Sequence, residues 1–152
     1  RIGKKVADLL QSFRVNIIVV DPYIEKDSVD YPVLPLMDAL PKADIVTIHT
    51  SGEDCIFSKR EFSALKRGAY LLNAARGGLI SESSLIEALD NGRLAGAWID
   101  TFEPEPYSGR LTDYRNVVLT PHAGSYTMEC RSQMEGEAVE NLLNALGNKN
   151  KT

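Results

Sequence analysis

Short apolar runs that each stop at a polar residue, separated by stretches of helical spacing, constrain this chain more than any other feature. Val15 to Val20 stops at Asp21, Asp44 to Ile48 stops at His49 and Thr50, and the run from Leu71 leads through Asn73 to Arg76. Ala95 to Ile99 stops at Asp100, and Asn116 to Thr120 stops at Pro121 and His122. Runs of this length and β-branched content read as buried strands. The helical stretches between them read as crossovers, so the strands lie parallel and helices cover both faces. The expected fold is therefore α/β, a doubly wound parallel sheet. In such sheets the ligand crevice lies outside the carboxyl ends of the strands. The polar residues that close the runs then belong to one edge.

The helix signals fill in the order. Ile2, Val6, Leu9, Leu10 and Phe13 recur at helical spacing, so the chain opens in a helix with nothing before it to cap the first turn. Tyr31 to Leu34 reads as a short edge strand, and Leu36 to Leu40 as a helical turn stopped near Pro41. Ser58-Lys59-Arg60-Glu61 matches a capping box and starts a helix that stops at Gly68. Ser81 caps a helix carrying Leu85, Ile86 and Leu89, closed by Asn91-Gly92. A last helix from Met128 to Leu146 carries Met134, Ala138, Leu142 and Leu146 on one face, before a polar tail.

Composition excludes several classes. The net charge is -4 with no basic stripe, which argues against a nucleic-acid partner. No apolar run approaches the length of a membrane span. Cys55 and Cys130 lack metal-ligand spacing, so no metal site is expected. They read as free thiols of a reducing cytoplasm.

Arg76, Asp100, Glu105 and His122 each follow a buried run, so the topology can bring them to one cleft. Arginine presents a planar fork suited to a carboxylate or a polarised carbonyl. Histidine titrates near neutral pH, and a neighbouring carboxylate raises its pKa and fixes its tautomer. These are the parts for acid-base chemistry on a hydroxyl. Taken singly, each reads equally well as a loop or cap residue, and Arg76 as half of a structural ion pair. Asp21 lies 18 residues after Gly3, a spacing that suits an acid on the ribose hydroxyls of a dinucleotide. Aspartate before proline is also an ordinary turn residue. His49 reads as a satisfied core histidine, and Thr50-Ser51-Gly52 as a loop able to bond a cofactor.

Four stretches carry a specific resemblance: Arg1-Ile2-Gly3, Asn73-Ala74-Ala75-Arg76-Gly77-Gly78, Ala97-Trp98-Ile99-Asp100 with Phe102-Glu103-Pro104-Glu105-Pro106, and Leu119-Thr120-Pro121-His122. From Arg1 to about Leu146 the chain resembles the nucleotide-binding domain of the D-isomer-specific 2-hydroxyacid dehydrogenases. Within that family it is most similar to the phosphoglycerate dehydrogenases. The resemblance implies a Rossmann-like sheet and NAD-dependent hydride transfer between nicotinamide and a D-2-hydroxy acid or 2-keto acid. It implies that Arg76 holds the substrate carboxylate and carbonyl, that His122 is the general acid-base, and that Glu105 pairs with His122, with Glu103 as a rival. Asp100 would hold the nicotinamide carboxamide, and Asp21 the adenosine ribose, favouring NAD over NADP. Arg1, Ile2, Thr50, Ala74, Ala75, His122 and Gly124 would line the cofactor. A cytoplasmic homodimer is implied for the complete protein.

Against the family pattern, only the third glycine of G-x-G-x-x-G remains, as Gly3. The sheet's first strand and the separate substrate domain are missing. The expectation is an excised piece: a partial NAD-binding domain over residues 1–125, and a helix and tail over 126–152 that would pack back toward the substrate domain. Such a piece is expected to be inactive alone. Thr50-Ser51 also departs from the family's usual Leu-Pro. An NAD-sensing corepressor of the same fold is the alternative function. A hydrolase resembling those of adenosylhomocysteine is the other rival, and the Arg-Gly-Gly and Pro-His segments argue against it.

Overall fold

The computed structural model describes residues 2–25, 28–52 and 54–148. Arg1, one of the cofactor-lining expectations, lies outside them. The chain divides into two compact units, Arg1–Pro121 and His122–Thr152.

The first unit is built on a four-stranded sheet of β1 (Ile45–Ile48), β2 (Ala69–Asn73), β3 (Leu94–Ile99) and β4 (Val117–Leu119). The order in space is β1-β2-β3-β4, and every pair is parallel. Parallel strands need crossovers, and the chain supplies them with α3 (Lys59–Ala64) after β1 and α4 (Glu82–Asp90) after β2. Helix α1 (Ile2–Leu10) and the short α2 (Leu36–Ala39) precede the sheet. This is the expected Rossmann-like α/β arrangement. The core sits where the central strands meet α3 and α4: Leu71, Leu94, Phe57, Phe62, Leu79 and Leu85 are all buried. The Phe57 and Phe62 rings meet edge to face at 5.4 Å, a geometry that adds to their burial.

Local signals set the helix ends. The Ser58 hydroxyl and backbone N–H both donate to Glu61 Oε2, at 2.6 and 3.0 Å. This is the reach-back half of the capping box, which settles orphan groups at the start of α3. Ser81 Oγ accepts from Ser84 N at 3.4 Å at the start of α4. Gly92 closes that helix at φ 69°, a left-handed value that costs glycine little. Helix α3 stops at Ala64 rather than at Gly68, because Leu65 turns extended and buries its side chain in the core.

Residues 15–20 depart from expectation. Among them only Val19 forms a bridge, with Val33. Val19 N donates to Pro32 O at 2.9 Å and Leu34 N to Val19 O at 3.0 Å. The expected strand and its edge partner at residues 31–34 therefore reduce to one rung. A strand exists only where a neighbour answers its N–H and C=O groups, and among the described residues nothing else does. Val15 and Val20 are half exposed, as is Ile45 on β1.

The second unit is dominated by α5 (Met128–Asn148), whose start is tied by Cys130 N donating to Thr127 Oγ1 at 3.1 Å. Met134, Leu142 and Leu146 on its expected apolar face are exposed.

Candidate functional site

The sheet register puts the strand ends in line. Ile48 pairs with Asn73, Asn73 with Ile99, and Ile99 with Leu119. One residue further on are His49, Ala74, Asp100 and Thr120, so the ends of these four strands share one edge.

The turn that carries Arg76 is held from beneath by Asn73, which is fully buried. Its Nδ2 donates to Arg76 O at 2.8 Å, and its Oδ1 accepts from Ala75 N at 3.0 Å. Asp100 N donates to Asn73 O at 2.9 Å, tying the turn to β3. A Cβ built on Gly77 would fall on the backbone of Phe102 and Glu103. The glycine therefore lets the Arg76 turn lie directly against the acidic loop. Arg76 itself is extended and exposed, and its Nη1 donates to Ala75 O at 2.7 Å.

The acidic loop folds on itself. Glu105 Oε1 accepts from Phe102 N at 3.0 Å. The Phe102 ring stacks on Tyr107 at 4.5 Å between centroids. Tyr107 Oη donates to Glu82 Oε1 at 2.9 Å and accepts from Leu111 N at 3.1 Å. Burial raises the Tyr107 phenol above its ordinary value, with the Glu82 carboxylate adding to it. The rival Glu103 is exposed on the same loop.

Asp100 is almost completely buried. Its Oδ1 accepts from the Thr120 hydroxyl at 2.5 Å, and Trp98 Nε1 donates to the same Thr120 oxygen at 3.0 Å. Asp21 Oδ1 accepts from Tyr23 N at 2.9 Å, which is the turn geometry. That bond uses one of about four lone-pair positions on the carboxylate, so the turn and ribose readings are compatible. His49 is satisfied by Thr47 Oγ1 at 3.0 Å. Burial lowers its pKa, and Gly3 of α1 packs against it. Thr50 Oγ1 donates to Ser51 O at 3.2 Å. Ile2 and Ala74 are exposed, and Ala75 is buried.

His122 and Gly124 belong to the second unit. His122 is exposed and sits at φ 53°, and Ala123 O accepts from Tyr126 N at 3.0 Å. Among the described residues no group of three His, Cys, Asp or Glu could hold a metal ion, and no helix is long and apolar enough to cross a membrane.

Sequence reasoning missed Asn73, Thr120 and Trp98. The first has a local signal, since an asparagine two residues before a turn amide commonly bonds it. The other two meet across 22 positions and leave no local trace.

Residues 1–124 match the family model described as D-isomer specific 2-hydroxyacid dehydrogenase, NAD binding domain. The D-3-phosphoglycerate dehydrogenase of Bacillus subtilis is 34% identical over 150 residues, covering 94% of this chain and 29% of that protein. The glyoxylate reductase of Thermofilum pendens is 38% identical over 157 residues, covering 96% and 46%. A crystal structure of a Thermus thermophilus protein superposes with a TM-score of 0.89 at 37% identity, covering 97% of this chain and 48% of the other. The chain thus spans under half the length of these relatives.

Proposed function

The chain belongs to the D-isomer-specific 2-hydroxyacid dehydrogenases, through their NAD-binding domain, and on that premise we propose that the protein interconverts a D-2-hydroxy acid and its 2-keto acid, with 3-phosphoglycerate as the hydroxy acid. The observation that carries the reading is the Arg76 turn. Buried Asn73 holds its backbone and Gly77 lies against Phe102, so the arginine is set on the sheet edge that also bears Asp100.

The residues fit the cofactor. Asp21 and Asp100 are acceptor-only groups when ionised, which suits ribose hydroxyls at one end of NAD and carboxamide N–H groups at the other. NAD, when bound, supplies the hydride acceptor or donor. In the proposed roles Arg76 grips the substrate carboxylate through its two-pronged fork. Asp21 takes the ribose and opposes a 2'-phosphate by like charge. His122 moves the hydroxyl proton, and Glu105 is the acid that tunes it. Ile2, Thr50, Ala74, Ala75 and Gly124 line the cofactor.

Relatives that carry the phosphoglycerate dehydrogenase name and a relative named glyoxylate reductase match the chain at similar identity. The test is NADH oxidation by the complete protein against a panel of 2-keto acids that includes both glyoxylate and 3-phosphohydroxypyruvate. Preference for glyoxylate would remove the phosphoglycerate assignment and keep the class. The corepressor alternative draws no support from relatives named as dehydrogenases and reductases.

A further inference from the structure

Trp98, Thr120 and Asp100 form a directed chain of hydrogen bonds across the ends of β3 and β4. Trp98 Nε1 lies 3.0 Å from Thr120 Oγ1, and that oxygen lies 2.5 Å from Asp100 Oδ1. An indole N–H can only donate, so Thr120 must accept there. Its single hydroxyl proton is then directed to Asp100. Thr120 N also donates to Ile99 O at 3.1 Å, so the threonine is seated on the ladder rather than on a loose loop. Asp100 is 2% exposed. Turning its carboxylate would break a bond between a hydroxyl and a charged acceptor, which is among the stronger kinds.

We propose that Thr120 is a positioning residue for cofactor recognition. Its hydroxyl, aimed by Trp98, holds the Asp100 carboxylate in the orientation that accepts from the primary amide of the nicotinamide ring. This rests on the role given above to Asp100. Thr120 acts through Asp100 and touches no reacting atom. Its consequence is discrimination rather than overall affinity. A dinucleotide whose ring carries an acetyl group in place of the carboxamide has no N–H to offer, so it gains nothing from a well-aimed carboxylate.

The experiment measures dissociation constants of NAD and of 3-acetylpyridine adenine dinucleotide by ligand-observed NMR, which reads weak binding. The parent chain is compared with Thr120→Val, Thr120→Ser and Asp100→Asn. The parent is expected to favour NAD by about tenfold, the scale of one hydrogen bond to a charged group. Thr120→Val should reduce that to about twofold, and Thr120→Ser, which keeps the hydroxyl, should restore it. Equal weakening of both ligands in Thr120→Val would mark a merely structural threonine and overturn the proposal. If Asp100→Asn keeps the full preference, the role of Asp100 itself fails; if only Thr120→Val keeps it, that role stands and the positioning claim falls. A parent chain that binds neither dinucleotide overturns both. Should Thr120→Val fail to fold, Trp98→Phe takes its place, because it leaves the hydroxyl unaimed, and an unchanged preference there overturns the proposal. Trp98 is the only tryptophan, so its indole proton gives one resonance; its failure to move in a folded Thr120→Val chain would show that the bond to Thr120 does not exist.

Discussion

A Cβ added to Gly77 would lie 2.4 Å from the carbonyl carbon of Phe102. The obstacle is backbone, which cannot swing aside as the end of a side chain can. The turn bearing Arg76 and the loop bearing Glu105 are therefore in main-chain contact, and only a residue without a side chain permits it.

Gly77→Ala should push the turn and the loop apart. The expected loss is about 1–3 kcal/mol, the usual range for forcing extra volume into a filled space. Denaturant melting checks it. An unaltered midpoint would show that the two segments separate freely.

Asn73→Ala should leave Ala75 N and Arg76 O without their side-chain partner. Stranding buried polar groups costs about 1–3 kcal/mol. In the complete protein the same variant should raise the Michaelis constant for the keto acid, because Arg76 loses the support under its turn. A loss of stability with an unchanged Michaelis constant would separate Asn73 from the substrate role of Arg76.

Arg76→Lys should be severe although the charge is kept, since an ammonium is a single point of contact where a guanidinium offers a fork. Removing His122 should lower turnover by about a hundredfold or more, the share of a general acid-base. Steady-state kinetics on both variants of the complete protein decides, and near-normal constants in either would strike that residue from the site.

Asp21→Ala should weaken NADH binding and narrow its advantage over NADPH, because the acceptor for the ribose hydroxyls and the charge opposing a 2'-phosphate go together. Titration with both cofactors reads this out. An undiminished preference would leave Asp21 with only its turn bond to Tyr23.

Stability should carry an acid-side signature from α3. The Ser58 hydroxyl, with help from the Ser58 backbone, holds the Glu61 carboxyl below its ordinary value despite some burial. A carboxyl lowered by folding contributes stability that is complete above its unfolded pKa, about 4.3, and disappears as pH falls through the lower folded value. Glu61→Gln keeps a cap but does not titrate, so its melting temperature should fall less across that interval. Parallel slopes for the two chains would sever the link to Glu61.

Much of this was legible locally. Ser58 and Glu61 are three apart and announce the start of α3, and the runs ending at His49, Asp100 and Thr120 announce strands that share an edge. The run from Val15 to Val20 misled because its composition is that of a strand, while a ladder also needs a neighbour, and among the described residues only Val33 pairs with it. Asp21 illustrates the middle ground: its two readings cannot be separated by spacing, and the structure places it in the turn without removing its capacity for ribose.

The sequence by itself determined the class of fold, because periodicity and capping act over a few residues, and because strand-helix alternation leaves a parallel sheet as the only economical way to cover the apolar runs. It also determined that the ends of the runs from Asp44, Leu71, Ala95 and Asn116 share an edge, since parallel strands present like ends together. Tertiary structure alone decided what those residues bond to. Trp98 reaches Thr120 across 22 positions and Thr120 reaches Asp100 across 20, while Gly77 meets Phe102 only because the crossover through α4 returns the chain to the same edge. Directional bonds and excluded volume depend on distances between segments far apart in the chain, and no local pattern of residue types encodes those distances.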